Sequence, residues 1–214
     1  GRLDDLAAIN ELHAPYLADP PRAAEIWAEA GETRLTLGQR DLAIRALRAA
    51  LALEPAHERA AIQAVDALTA AGHFAEAAEV VEDELADLER RAAAASAGRR
   101  TAGGDAMIAR RAGRHRLAAQ IWNERLGRVA RARLPWQQAW QLEPNRTDAL
   151  EAARTIYASL GDDTMVAKLF QAELDVLGAS GTAERRSAIL AELGRLAQRA
   201  GDLKTAARHL EQAL

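Results

Sequence analysis

The chain has 214 residues, 49% of them hydrophobic but only 4% aromatic, with a formal net charge of -3 and no cysteine. That length and apolar content exclude an intrinsically disordered chain, and the lack of cysteine excludes disulfides and thiolate metal sites. Alanine supplies much of the apolar content and prolines number only 6, so the composition predicts an almost wholly helical protein.

In chain order, residues from about Asp4 to Ala18 read as a helix, because Pro21 precedes Pro55 by the same step that separates Gly38 from Gly72. A first full unit runs over 24–57. It carries Trp27, Ala30 and Gly31 on its first helix, then Ala43, Leu47 and Ala50 on its second, with Pro55 as the stop. A second unit covers 58–97 and turns at Gly72, one such step after Gly38. Nothing breaks the stretch from Glu76 to Ala97, which predicts an elongated second helix. Gly98 to Gly104 reads as a loop, and a helix follows from about Asp105 to Leu126, with Gly113 as its one candidate bend. Pro135 marks the start of the next helix or a kink in it. The third, irregular unit therefore spans 105–146. A fourth occupies 147–180 and turns at Gly161, again one step after Gly127. A fifth, truncated unit occupies 183–214 with Gly201, Ala206, Leu210 and Ala213 at the same offsets. A constant step of about 34 residues means stacked two-helix units. The residues before 24 fill only a second-helix slot and no polar cap follows Leu214. The expectation is a stretch of a longer solenoid, which a native gene product of about 23 kDa would refute.

The residue types at these offsets resemble the tetratricopeptide repeat family. Trp27, Gly31, Ala43, Leu47, Ala50 and Pro55 match its pattern in the first unit. Leu150, Ala153, Tyr157, Gly161 and Phe170 match in the fourth, and Leu190, Gly194, Ala197, Gly201, Ala206 and Leu210 in the fifth. The resemblance implies an all-α, right-handed α-solenoid of helical hairpins with an irregular, elongated central hairpin. It also implies a non-enzymatic scaffold that holds a peptide or helix of a partner protein in a concave groove. Places that point into that groove in the family are here Glu25, Ala28, Glu29 and Glu32, then Arg59, Ile62, Gln63 and Asp66, then Asp148, Glu151, Ala152 and Thr155, then Ala188, Ala191, Glu192 and Arg195. The mixed-to-acidic surface suits a basic or amphipathic ligand. A clamp for acidic chaperone tails would need Lys and Asn where Ala28 and Glu32 stand.

Charge is segregated in the middle of the chain. Seven acids and no base lie between Glu76 and Glu89, while ten arginines lie between Arg99 and Arg133. Adjacent antiparallel helices would set these stretches against each other. The alternative use is a nucleic-acid or phosphate-binding patch that includes Arg110, Arg111 and Arg114. The slight net negative charge and the absence of a recurring base-reading pair argue against nucleic acid. Lys168 and Lys204 are the only lysines, and the excess of Arg and Ala fits a GC-rich, bacterial coding bias. Trp27 and Trp136 fall at core places, leaving Trp140 as the candidate exposed anchor. The candidate partner-binding residues are thus Glu25, Glu29, Glu32, Asp66, Arg110, Arg111, Arg114 and Trp140.

Catalysis has little support. Five histidines are scattered without metal-ligand spacing, and neither a phosphate loop nor a nucleophile elbow occurs. No cofactor is expected. No apolar run reaches the roughly 18 residues of a membrane span, and the apolar stripe of Ile108, Leu117, Ile121 and Trp122 suits a neighbouring hairpin better than a membrane surface. The expected compartment is the cytoplasm, with a processed or exported origin left open by the start at Gly1. Partner identity and oligomeric state are not readable from the sequence.

Overall fold

The structure, a computed structural model, describes residues 1–97, 104–144, 146–178 and 182–214. The predicted loop up to Gly103 and the side chains of Arg99 and Arg100 therefore lie outside the described residues. The described residues form helices and no strand: α1 Arg2–His13, α2 Pro20–Thr36, α3 Arg40–Leu53, α4 Glu58–Ala70, α5 Phe74–Ala97, α6 Gly104–Gln120, α7 Val129–Leu142, α8 Thr147–Ser159, α9 Asp163–Leu177, α10 Ala183–Arg199 and α11 Leu203–Gln212. The fold is an all-α stack of helical hairpins. Among the described residues no helix is long and apolar enough to cross a membrane. The chain divides into two compact units, Gly1–Arg128 and Val129–Leu214.

Four hairpins share one turn. Gly38, Gly72, Gly161 and Gly201 have φ of 72°, 79°, 73° and 79°, a left-handed conformation that suits a residue without Cβ. At each, the amide after the glycine donates back to a carbonyl near the end of the first helix: Gln39 to Arg34 at 2.9 Å, His73 to Leu68 at 2.9 Å, Asp162 to Tyr157 at 2.9 Å and Asp202 to Ala197 at 3.0 Å. This closes the orphan carbonyls of the first helix. Asp162 and Asp202 then cap the second helix by accepting from the amides of Met165 and Thr205, each at 3.0 Å.

Within the first unit, α1 to α6 pack each on the next in sequence. The core is mostly small: Ala28, Ala43, Ala50, Ala60, Ala64, Ala77 and Ala78 are all fully buried around Leu47, Leu68, Val81 and Leu88. Small faces let the helices approach closely. Gly31 takes this to its limit, for a Cβ built there would lie 2.6 Å from Cγ of Leu47. In the second unit, α7 to α11 also pack in sequence. Gly194 repeats the geometry of Gly31, with an added Cβ 2.7 Å from Cγ of Leu210.

One expectation needs correction, and two open alternatives are narrowed. The helix over 104–120 runs through Gly113 without a break and ends in a π-helical turn, Ile121–Arg125. Its wider ring is closed by the amide of Leu126 on the carbonyl of Ile121 at 3.1 Å. Gly127, with φ of 61°, is in register with the other turns but closes this wider one. Pro135 starts no helix: α7 begins at Val129 and contains it. Ala28 is not on a groove wall, because it is fully buried, whereas Trp27 beside it is only half-buried.

Candidate partner-binding surface

The repeat register shows where chemistry replaces packing. The places held by Gly31, Ala43, Leu47 and Ala50 recur one period later as Val65, Ala77, Val81 and Glu84. Counted from Gly161 as from Gly38, they recur again as Arg154, Val166, Phe170 and Glu173. A fully buried alanine has thus become a carboxylate twice, and Glu84 and Glu173 are 0% and 1% exposed. A buried charge at such a place is tolerable only when it is paired and hydrogen-bonded.

Both are paired by arginines. Glu84, on α5, accepts a hydrogen bond from Arg110 Nη2 at 2.7 Å on one oxygen, and its other oxygen forms an ion pair with Arg114 Nε at 2.8 Å, both from α6. Arg110 also donates to the carbonyl of Ala56 at 2.8 Å, so it ties α6 to the turn before α4. Arg111 pairs with Glu89, whose carboxyl is held below its ordinary value: partial burial opposes the shift, and the hydrogen bond and charge of Arg111 outweigh it. His115 lies against the same carboxylate at 3.5 Å, and burial pushes its imidazole below its ordinary range. Trp122 Nε1 donates to Glu82 at 2.7 Å. The acidic and arginine stretches therefore meet across α5 and α6, and Arg110, Arg111 and Arg114 are engaged inside the unit. Arg125 sits over the ring of Phe74, 5.6 Å from its centroid.

In the second unit the substitution opens a cleft. Arg154 occupies the place of Gly31, and its guanidinium stacks on Phe170 at 4.4 Å from the ring centroid. It pairs with Glu173, which also takes Arg185 Nη2 at 2.6 Å. A large cation and an aromatic ring stand where a glycine and a leucine interlock elsewhere, and a cleft of about 480 Å³ lies between α8, α9 and α10. Its apolar lining is Val166, Phe170, Ile189 and Leu196, with Ala158 and Ala188 on the walls. Its polar lining is Glu151, Arg154, Thr155, Arg185, Glu192 and Arg199. Arg199 is tied to Asp163 at 3.1 Å and Glu192 to Arg195, while exposed Glu151 makes no ion pair among the described residues.

The other predicted site residues fall apart from this cleft. Glu25, on α2, takes His57 Nε2 at 2.9 Å and Arg59 Nη2 at 2.5 Å from the α4 side, and Arg59 also reaches Glu32 at 3.5 Å. Partial burial raises the Glu25 carboxyl, but the hydrogen bond from His57 and the charge of Arg59 hold it below its ordinary value. Glu29 is half-buried and Asp66 exposed. The structure thus brings Glu25 and Glu32 together through Arg59. Trp140 is half-buried with its indole nitrogen enclosed and without a hydrogen-bond partner among the described residues. The sequence reading missed Arg154 and Glu173. A charge at a place that is Gly or Ala in a sister repeat was the signal. Among the described residues no group of three or more acidic or imidazole side chains is placed to hold a metal ion.

No family model matches the chain, and no curated protein matches it. Solved structures do. One described as MamA AMB-1 superposes with a TM-score of 0.52 at 12% identity, covering 89% of each chain. Another, described as MamA protein, gives 0.50 at 16% identity over 89% of this chain and 90% of that one. A third, described as YrrB, a TPR protein with an unusual peptide-binding site, gives 0.48 at 16% identity over 89% of this chain and 84% of that one. The first two share the hairpin fold over nearly the whole chain, and the family's Gly, Ala and Leu markers lie at the turns and close crossings described above. The chain has the tetratricopeptide-repeat fold. The groove places that the resemblance implies all lie on first helices, and α8 and α10, which flank the cleft, are first helices.

Proposed function

We propose that this tetratricopeptide chain is a non-catalytic protein-interaction module, with repeats at 24–57, 58–97, 147–180 and 183–214, that holds a short peptide or helix of a partner protein against its first helices. The observation that carries the reading is the cleft between α8 and α10. Its apolar lining of Val166, Phe170, Ile189 and Leu196 suits one large aliphatic or aromatic anchor, the residue type that dominates binding energy at interfaces. Glu151 on the rim, which makes no ion pair among the described residues, favours a basic residue beside that anchor. Arg154 lines the cleft and is held by its pairing with buried Glu173.

The test is selection of a random-peptide display library on the chain, followed by binding to a variant with Ala188→Arg. Ala188 is exposed on α10, so the longer side chain enters the cleft with little effect on folding. Peptides with an apolar anchor and a basic neighbour are expected, and Ala188→Arg abolishes their binding at unchanged helicity. Peptides that bind the variant equally well, or that lose binding instead on Glu29→Lys or Asp66→Lys, refute the cleft.

A further inference from the structure

Two acidic side chains of α5 break the pattern of their sister repeats. Glu79 and Asp83 follow the turn glycine Gly72. Counted in the same way from Gly38, Gly161 and Gly201, the place of Glu79 holds Arg45, Lys168 and Arg208, and the place of Asp83 holds Ala49, Ala172 and Gln212. A cation has become an acid at one place and an uncharged residue an acid at the other. Both acids are exposed, and neither makes an ion pair among the described residues. Solvation does not account for the change, since a cation serves that purpose in the sister helices.

Other acids of α5 serve the fold. Glu82 accepts from Trp122, Glu84 pairs with Arg110 and Arg114, and Glu89 pairs with Arg111. Glu79 and Asp83 line instead a groove of about 450 Å³ between α3 and α5, within the roughly 300–1,000 Å³ of ligand pockets. Its apolar surface is Leu51, Pro55 and Val80, and exposed Ala52 and Ala86 keep the walls low. The two cations in the lining are already matched, Arg48 with Glu76 at 2.8 Å and Arg90 with Asp87 at 2.7 Å. Arg45 lines a neighbouring hollow with Asp41, His73 and Glu76.

We propose that this groove takes a basic helical segment of a partner protein, which sets one cation on Glu79, one on Asp83 and an apolar residue on Leu51, Pro55 and Val80. Three observations select that occupant. The open charges of the groove are both negative while its cations are neutralised, so it attracts cations and repels the phosphates of nucleic acids and anionic lipids. The two acids stand four residues apart on one helix, about 5–6 Å between Cβ atoms, so cations one turn apart on a guest helix meet them in step. The apolar strip lies in the same groove, as recognition of an amphipathic helix requires. This surface belongs to the first unit and is independent of the cleft between α8 and α10.

The test uses the full 214-residue chain and a fluorescent, alanine-rich helical peptide with two arginines one turn apart and a leucine on the same face. Saturable binding is expected by fluorescence anisotropy. Glu79→Arg with Asp83→Ala restores the sister pattern and should weaken binding at least about tenfold. The urea midpoint should stay unchanged, because both places are exposed. A peptide with glutamates in place of the arginines should bind the variant with Glu79→Arg and Asp83→Arg more tightly than the unmodified chain. No saturable binding of the arginine peptide, or equal binding by the variant with the sister pattern, overturns the proposal. Binding lost on Ala188→Arg also overturns it, because the peptide then sits between α8 and α10, and the reading of that cleft stands.

Discussion

Gly31→Ala and Gly194→Ala make the same chemical change at the same repeat place, and the structure separates their outcomes. In both, an interior helical glycine becomes alanine, which on its own favours the helix by about 1 kcal/mol. In both, the new Cβ falls on a leucine: 2.6 Å from Leu47 Cγ in one case and 2.7 Å from Leu210 Cγ in the other. Carbon atoms in contact sit about 3.5–4.0 Å apart, so the overlap is roughly 1 Å. The difference is where the leucine can go. A backbone carbonyl lies equally near the added carbon in both, Ala43 at 3.4 Å and Ala206 at 3.3 Å, but Leu47 is 0% exposed and hemmed by buried Ala43 and Ala50. Leu210 is 40% exposed and can swing outward. Overpacking a closed core costs about 1–3 kcal/mol. Gly31→Ala should therefore destabilise by up to about 2 kcal/mol, and Gly194→Ala should be neutral or stabilising by up to about 1 kcal/mol. Urea unfolding followed by far-ultraviolet circular dichroism measures both. A cycle with Leu47→Ala adds a check, since that substitution must cost less in the Gly31→Ala background than alone, where it costs about 2–5 kcal/mol. If Gly31→Ala stabilises the protein as much as Gly194→Ala, the close crossing of α2 and α3 is not there.

Two further outcomes follow from the buried charges. Glu173→Gln leaves Arg154, itself 7% exposed, without its counter-charge and should cost about 3–5 kcal/mol. The joint change Arg154→Leu with Glu173→Leu should cost less than Glu173→Gln in the same urea assay, and a loss below about 1 kcal/mol for Glu173→Gln would show that Arg154 reaches water. His115 has its folded-state titration pushed below the ordinary 6.5 by burial, against the opposing pull of Glu89. The unfolded chain therefore binds a proton more readily, and this contribution is complete above about pH 6.5 and is lost as pH falls below it. His209 shifts in the same sense. His115→Gln should flatten part of the fall in the urea midpoint between about pH 6.5 and 5, and an unchanged slope would mean that His115 is solvated.

The period and the turns were legible because they rest on local backbone requirements. A left-handed residue between two helices calls for glycine, and Gly38, Gly72, Gly161 and Gly201 each meet that need within a few positions of chain. The meeting of acidic α5 with arginine-rich α6 was legible too, since charge segregation over whole helices survives small errors of register. What failed depended on partners far away in sequence. The π turn after Gln120 leaves no mark in residue type, and Pro135 reads equally as a helix start or as a kink because its cost inside α7 is visible in the sequence while the packing that offsets it is not. Ala28 lies three residues after Glu25 and one before Glu29, too near for a face assignment without coordinates. Arg154 and Glu173 read as ordinary surface charges until α8, α9 and α10 are assembled around them.

The two buried carboxylates also give the stack an addressing rule. Alanine faces are nearly interchangeable, so a chain of such hairpins has little to stop one from settling beside the wrong neighbour. Glu84 accepts only a following helix that brings Arg110 and Arg114, and Glu173 only one that brings Arg185. A mismatched neighbour would strand an ion away from water, a penalty far larger than any gain from greasy contact. Electrostatics here selects the order of assembly, while methyl groups supply its cohesion.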